Sequence, residues 1–300
     1  MRQFSGFPLM VLANREELYA RTSTGPQITP RHEAVPAWIG GIDRLAGGTW
    51  LGINEFGLVV GVTNREKKMP PASPPSRGLL CRSLLAQKDS RSAAQSAWRE
   101  LDTNRYAGCN LLMADRDGGV LVEAGDALRS TELGDGLHLI ANGALNDPDD
   151  LRIRRVRGEF LRARPSGADE WFQAARSICG MTADGSEPPI CLVGRDRGTV
   201  SSTVFGLGEP LGISQYWFAP GSPVSTPFEN VSPLLVQLFA SESVVGNPRA
   251  HDPHVDIGPP DDSPARRAIA QHIAGKAAEF HFPEPSTDSP YRILLRGPWE

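Results

Sequence analysis

The chain has 300 residues, a formal net charge of −4, and 40% hydrophobic against 22% charged residues. That balance suits a globular protein with a sizeable core and leaves no basic footprint for nucleic acid. No stretch reaches the length of a membrane span, and the opening "MRQFSGFPLMVLANRE" lacks the long apolar centre of a signal peptide, so a cytoplasmic protein is expected.

The first apolar run predicts a strand over residues 9–14. It passes straight into Asn14, Arg15, Glu16 and Glu17. Charges at a strand terminus are either a solvated end or a site. Residues 47–65 predict two strands around an Asn54–Glu55–Phe56–Gly57 turn, with the glycine where a hairpin needs positive φ. The Pro-rich stretch 70–78 predicts a loop, because proline removes donors and fixes φ.

Two helices are expected near 78–87 and 90–101. In the second, Ala94, Ala97, Trp98 and Leu101 share a face at helical spacing. Residues 109–125 give the clearest hairpin, two apolar runs flanking Asp115–Arg116–Asp117–Gly118–Gly119. "LHLIANG" (137–143) predicts another strand, and residues 151–162 and 168–179 predict helices. Late strands are expected at 190–194, 199–208 and 214–221. Beyond about 240 the chain becomes rich in Pro, Asp and His, with one amphipathic helix near 264–279. The expected division is a domain over 1–240 and a Pro-rich extension over 241–300.

These strands come as adjacent hairpins and not as alternating strand–helix units. The pattern predicts an α+β fold with antiparallel sheets and separate helix layers. "GGTWLG" departs from the dinucleotide fingerprint and precedes a strand instead of a helix.

Candidate chemistry is sparse. Cys81, Cys109, Cys179 and Cys191 are far apart with no C-x-x-C pair, and read as reduced, buried thiols. No G-x-S-x-G elbow is present, and Ser201 and Ser202 fall in mid-strand. His251 and His254 sit three apart in a Pro-rich loop without a third ligand nearby, so no metal site is expected. His32 has no visible partner, and His138, alternating with Leu137 and Leu139, would point out of its strand. What remains is polar residues following apolar runs: Asn14 to Glu17, Asn64–Arg65, and Asn142. Arginine offers a planar fork to a carboxylate, asparagine an amide N–H to a developing oxyanion. A buried Arg15 needs a partner, and Glu16 or Glu17 is at hand. Together they describe a polar pocket of open purpose.

"LANREELYAR" resembles the signature of the NRDE family, which includes the transport and Golgi organisation protein 2 of animals. The likeness continues in "GGIDRLAGGTWLGINEFGLVVGVTN" (40–64), "SRGLL" (76–80), "NLLMADRDG" (110–118), "LHLIANG" (137–143), "RGTVSSTVFGL" (197–207) and "YWFAPGSP" (216–223). The resemblance implies an N-terminal nucleophile (Ntn) hydrolase-like, four-layer αββα sandwich. It implies Arg15 as the arginine flanking a nucleophile, Glu16 as the acidic residue, and Asn64 and Asn142 as the oxyanion region. It makes Asn14, Arg15, Glu17 and Trp50 the expected ligand contacts.

The cysteine-type Ntn enzymes that this family resembles use a cysteine at position 2, exposed by loss of Met; here residue 2 is Arg and the first cysteine is Cys81. Two readings follow from the resemblance. One is a protein that binds or traffics a small hydrophobic ligand such as haem or lipid, with no cofactor required. The other is a hydrolase of linear amides whose cysteine lies upstream of residue 1. Neither calls for a metal, and nothing in the sequence sets an oligomeric state.

Overall fold

The computed structural model describes residues 4–33 and 35–245. They belong to one compact unit, Met1–Gly246. The expected helix at 264–279 and the histidines at 251 and 254 lie outside the described residues.

In chain order the strands are β1 (Leu9–Leu18), β2 (Gln27–Thr29), β3 (Trp38–Gly40), β4 (Leu51–Asn54), β5 (Val59–Asn64), β6 (Cys109–Ala114), β7 (Gly119–Ala124), β8 (Leu128–Leu133), β9 (Arg197–Leu207), β10 (Gln215–Ala219) and β11 (Glu229–Asn230). The helices are α1 (Arg77–Leu84), α2 (Ser90–Asp102), α3 (Leu151–Ala163), α4 (Ala168–Cys179) and α5 (Ser232–Val245). β2 to β8 form one sheet in sequence order, and β1, β9, β10 and β11 form the other. Every pairing is antiparallel, as the run of hairpins predicts.

The alternation of side chains along each strand builds two cores. On one face of the seven-stranded sheet, Val60, Leu111, Met113, Val120 and Val122 meet Leu80, Leu84, Ala93, Ala97 and Leu101 of α1 and α2. On its other face, Ile39, Ile53, Val59 and Ala114 meet Leu9, Phe205, Leu207 and Phe218 of the second sheet. Beyond that sheet lies α4, whose Phe172 packs edge-on against Phe7 at 5.7 Å, with α3 beside it. The order of layers is helix, sheet, sheet, helix, an α+β sandwich. The helix starts are capped as their sequences ask: the side chains of Asp89 and Asp150 accept from the first-turn N–H groups of α2 and α3.

Three expectations need correcting. β1 does not end at residue 14 but runs to Leu18, so Asn14, Arg15, Glu16 and Glu17 lie within the strand. Its pairing with β9 slips between Arg15 and Glu16, where Arg15 opposes Ser201 and Glu16 opposes Thr199, leaving Val200 as the extra residue of a bulge. Residues 137–143 form no strand, because no neighbouring strand of either sheet pairs with them. Residues 190–194 carry a single bridge, Val193 to Gly198, instead of a strand, and the carbonyl of Ile190 is turned to the side chain of Asn14. Conversely β8, whose "LRSTEL" is too polar to read as a strand, and α5, which buries Leu235 and Leu238, were not foreseen.

Candidate functional site

A cavity of about 780 Å³ lies beside β1 and takes in most of its length. Successive residues of the strand point to opposite sheet faces, which decides what each contributes. Asn14 and Glu16 turn to the helix layer. The Asn14 amide donates to the carbonyls of Cys179 and Ile190, both at 3.0 Å, and its oxygen accepts from Ser202 Oγ at 2.7 Å. Asn14 is thereby a tie between β1, α4 and the 190s segment. Glu16 is bound by the guanidinium of Arg152 on α3. Thus of the two carboxylates expected to partner Arg15, Glu16 is taken elsewhere.

Arg15 and Glu17 turn to the seven-stranded sheet. Arg15 is 8% exposed, and its guanidinium lies 4.3 Å from the ring centre of Trp50, a cation–π stack. It donates to Ser23 Oγ at 3.3 Å and stands 3.9 Å from the Glu17 carboxylate. Burial lowers its basicity, opposed by the charges of Glu17 and Asp43. The network goes on through Arg21, 3.5 Å from Glu17 and forked onto Asp43, its Nη2 donating at 2.6 Å. The Asp43 hydrogen bond raises the Arg21 pKa. Burial by itself would raise Asp43, but the bonds from Arg21 and from the Leu45 N–H bring its carboxyl below the ordinary value.

A tight loop holds Asp43 at the rim. A Cβ on Gly48 would come within 2.3 Å of the Gly78 carbonyl carbon at the start of α1, so only glycine permits that approach. Trp50 follows two residues later and lines the cavity.

Asn64, at the end of β5, and Asn142 both line the cavity. Asn142 is positioned by Arg65, which the sequence singles out beside Asn64, and by Asn110 and Thr63, which it does not. Asn110 in β6 donates to the carbonyls of Ala141 and Gly143 at 3.1 and 3.2 Å. Thr63 donates to Ala141 as well, at 2.8 Å. Arg65 donates to Gly143 O at 2.6 Å, to Asn110 Oδ1 at 3.0 Å and to Glu123 at 2.8 Å. This clamp grips the segment on both sides of Asn142. A buried polar residue inside an apolar strand, as Asn110 is in "CNLLMA", was the available signal.

The remaining expected residues are quickly placed. Asn14, Arg15, Glu16, Glu17, Trp50, Asn64 and Asn142 all border the one cavity. His138 also lines it; its Nε2 bonds Gly134 O at 2.7 Å, its buried Nδ1 has no partner among the described residues, and burial lowers its pKa. The four cysteines are free and buried, and none borders the cavity. Burial pushes the thiol of Cys109 up to about 11 and that of Cys179 up to about 12, and raises Cys81 further still. These are structural thiols and poor nucleophiles. Among the described residues no three His, Cys, Asp or Glu side chains gather as metal ligands, and no helix is long and apolar enough to cross a membrane.

A family model described as Transport and Golgi organisation 2 matches residues 1–171. No curated protein matches the chain. Among solved structures, the chain is similar to penicillin V acylase from Agrobacterium tumefaciens, at 12% identity and a TM-score of 0.43 over 77% of this chain and 86% of that one. It is also similar to the Caenorhabditis elegans N-acylethanolamine-hydrolyzing acid amidase ortholog, at 13% identity and a TM-score of 0.43 over 67% and 89%. A third is a conjugated bile acid hydrolase from Clostridium perfringens, at 10% identity and a TM-score of 0.40 over 77% and 88%.

Proposed function

Given that the chain belongs to the Transport and Golgi organisation 2 family, we propose that it binds and carries a small, largely apolar ligand with a polar or anionic end, of the kind represented by haem or a lipid. The observation that carries this reading is the mixed lining of the cavity. Its 780 Å³ lies within the range of small-molecule sites. Met10, Leu12, Leu112, Ile140 and Trp171 line it together with Arg15, Trp50, Asn64 and Asn142. Apolar walls give affinity through burial, and the few polar groups fix orientation. Asn14 takes part as a structural tie of the wall, its amide already bonded on three sides.

The test is titration of the purified chain with haem and, separately, with a fatty acid, following quenching of tryptophan fluorescence and the haem absorption band. Saturable binding that weakens in Arg15→Ala supports the reading. Equal binding by wild type and Arg15→Ala, or none by either ligand, removes it.

The second reading, an amidohydrolase, draws on the same polar residues. Asn64 and Asn142 bring amide donors to the cavity that Arg15 also lines, and amide donors are what an oxyanion site needs. The thiol nucleophile of that reading would have to come from outside residues 1–300, since the four cysteines here are buried away from the cavity. Release of an amine from a panel of acyl amides by protein isolated from its native cell is the measurement; no release at all leaves only the binding reading.

A further inference from the structure

Asn142 is followed by Gly143, and no other asparagine of the chain precedes a glycine. Such a pair carries a chemistry of its own. With no Cβ on the following residue, its backbone nitrogen can approach the side-chain carbonyl carbon of the asparagine. Residues 141–144 lie outside every helix and strand, and Asn142 is exposed. Other asparagines are tied down. The amides of Asn14, Asn54 and Asn110 each donate to two backbone carbonyls, and Asn146 accepts from the Leu139 N–H. The Asn142 side chain has no partner among the described residues.

The clamp on residues 141–143 frames that chemistry. Asn110 and Thr63 hold the carbonyl of Ala141, and Asn110 and Arg65 hold that of Gly143. The peptide group between them joins Asn142 to Gly143. Among the described residues its N–H and C=O make no hydrogen bond. The one peptide whose nitrogen must turn to react is thus the free one, set between two that are fixed.

We propose that Asn142 is a self-modifying site, converted from amide to carboxylate by its own neighbour and water. The Gly143 nitrogen attacks Cγ of Asn142. The N–Cγ bond forms, the attacking nitrogen gives up its proton, and the side-chain amide leaves as ammonia. Water then opens the cyclic imide. Cleavage of the new N–Cγ bond gives aspartate. Cleavage between that nitrogen and the backbone carbonyl carbon gives isoaspartate, whose main chain runs through the former side chain. One water is consumed and one ammonia released, with no other reactant. Either product is ionised at neutral pH and puts a negative charge on the cavity that Asn142 lines. Isoaspartate also adds a carbon to the main chain between the two held carbonyls. As the molecule ages, its hold on an anionic ligand should therefore weaken through like-charge repulsion. That consequence rests on the small-ligand reading; the conversion itself does not.

The test is incubation of the whole chain in mildly alkaline buffer, followed by peptide mass spectrometry with fragmentation and separation of aspartate from isoaspartate. Asn142 should gain the mass of amide-to-acid exchange at least about tenfold faster than Asn64, which is also exposed but precedes Arg65. Asp135–Gly136 can close the same ring only without change of mass, so it adds nothing to the signal. Gly143→Ala should slow the change at least about tenfold. Its Cβ meets only the tip of Asp147, at 3.1 Å, and an unchanged urea midpoint verifies its fold. Both products should appear. Asn142 changing no faster than Asn64 overturns the proposal. So does Gly143→Ala changing as fast as wild type, or aspartate as the sole product, which would mean direct hydrolysis without the ring. For the consequence, Asn142→Asp should bind a fatty acid at least about tenfold more weakly than wild type; equal binding overturns the coupling to ligand. No fatty-acid binding by wild type removes the small-ligand reading, and the mass result then decides the conversion by itself.

Discussion

Arg15 lies in β1 and Trp50 just ahead of β4 of the other sheet, yet the guanidinium of one lies over the ring of the other at 4.3 Å. The contact bridges the two layers at the wall of the cavity, which both residues line. It holds a cation at a site 8% exposed, with the Glu17 carboxylate 3.9 Å away.

Replacing Arg15 should therefore separate charge from packing. Arg15→Met keeps a long side chain against Trp50 and removes the donor. It should bind an anionic ligand at least about tenfold more weakly while its urea midpoint stays close to wild type. Ligand titration and urea denaturation on the same protein check both halves. A large fall in the midpoint with unchanged affinity would make Arg15 a packing residue only.

The clamp on residues 141–143 makes a different prediction. Asn110 is 1% exposed and donates to two backbone carbonyls. Asn110→Ala strips the donor, and should cost about 1–3 kcal/mol in denaturant unfolding. Hydrogen exchange over 137–143 should quicken, while exchange in α1 and α2 stays as before.

Acid stability should depend on Asp43. Its carboxyl sits below the ordinary range in the folded state, so the unfolded chain takes up the proton first. The stabilisation is full above about pH 4, the ordinary carboxylate pKa, and disappears as pH falls through the folded value. Unfolding midpoints between about pH 5 and 2 should fall less steeply in Asp43→Asn than in wild type.

His138 acts in a higher window. Burial lowers its pKa, so the unfolded chain protonates first, near the ordinary value of about 6.5. Stability should be fully kept above that value and decline as pH drops below it, until the folded value is reached. His138→Gln should flatten this part of the curve, measured by thermal unfolding at steps of pH.

Gly48→Ala is expected to fail at the backbone. Its Cβ would press on the Gly78 carbonyl carbon at 2.3 Å, where no rotamer change gives relief. The loss should be about 1–3 kcal/mol, the range for overpacking, and the Asp43 loop must move with it.

How much of this could be read beforehand varied with the kind of signal. The four helices from Arg77 to Cys179 were legible because their apolar residues recur at helical spacing and polar caps precede three of them. Residues 137–143 and 190–194 were not, because a short apolar run reports burial and says nothing of whether a partner strand exists. α5 escaped because its apolar residues are not confined to one side: Leu235 is buried while Val236 is half exposed. At the site, Arg15 and Asn142 stood out as polar residues after apolar runs. The joint grip of Arg65, Asn110 and Glu123 did not, because it joins residues far apart in sequence that only the pairing of β6 and β7 brings together.

β1 serves the cavity and the core at once: Leu9 is buried between the sheets and also borders the cavity, as do Val11 and Ala13. Whatever fills the cavity is therefore coupled to folding. An occupant held only by the folded chain adds RT ln(1 + [L]/Kd), about 2.7 kcal/mol at a hundredfold excess over Kd. Against a total stability of about 5–15 kcal/mol, that share is large enough for the cellular lifetime of the protein to follow the supply of its ligand, so that steady-state abundance becomes a readout of occupancy.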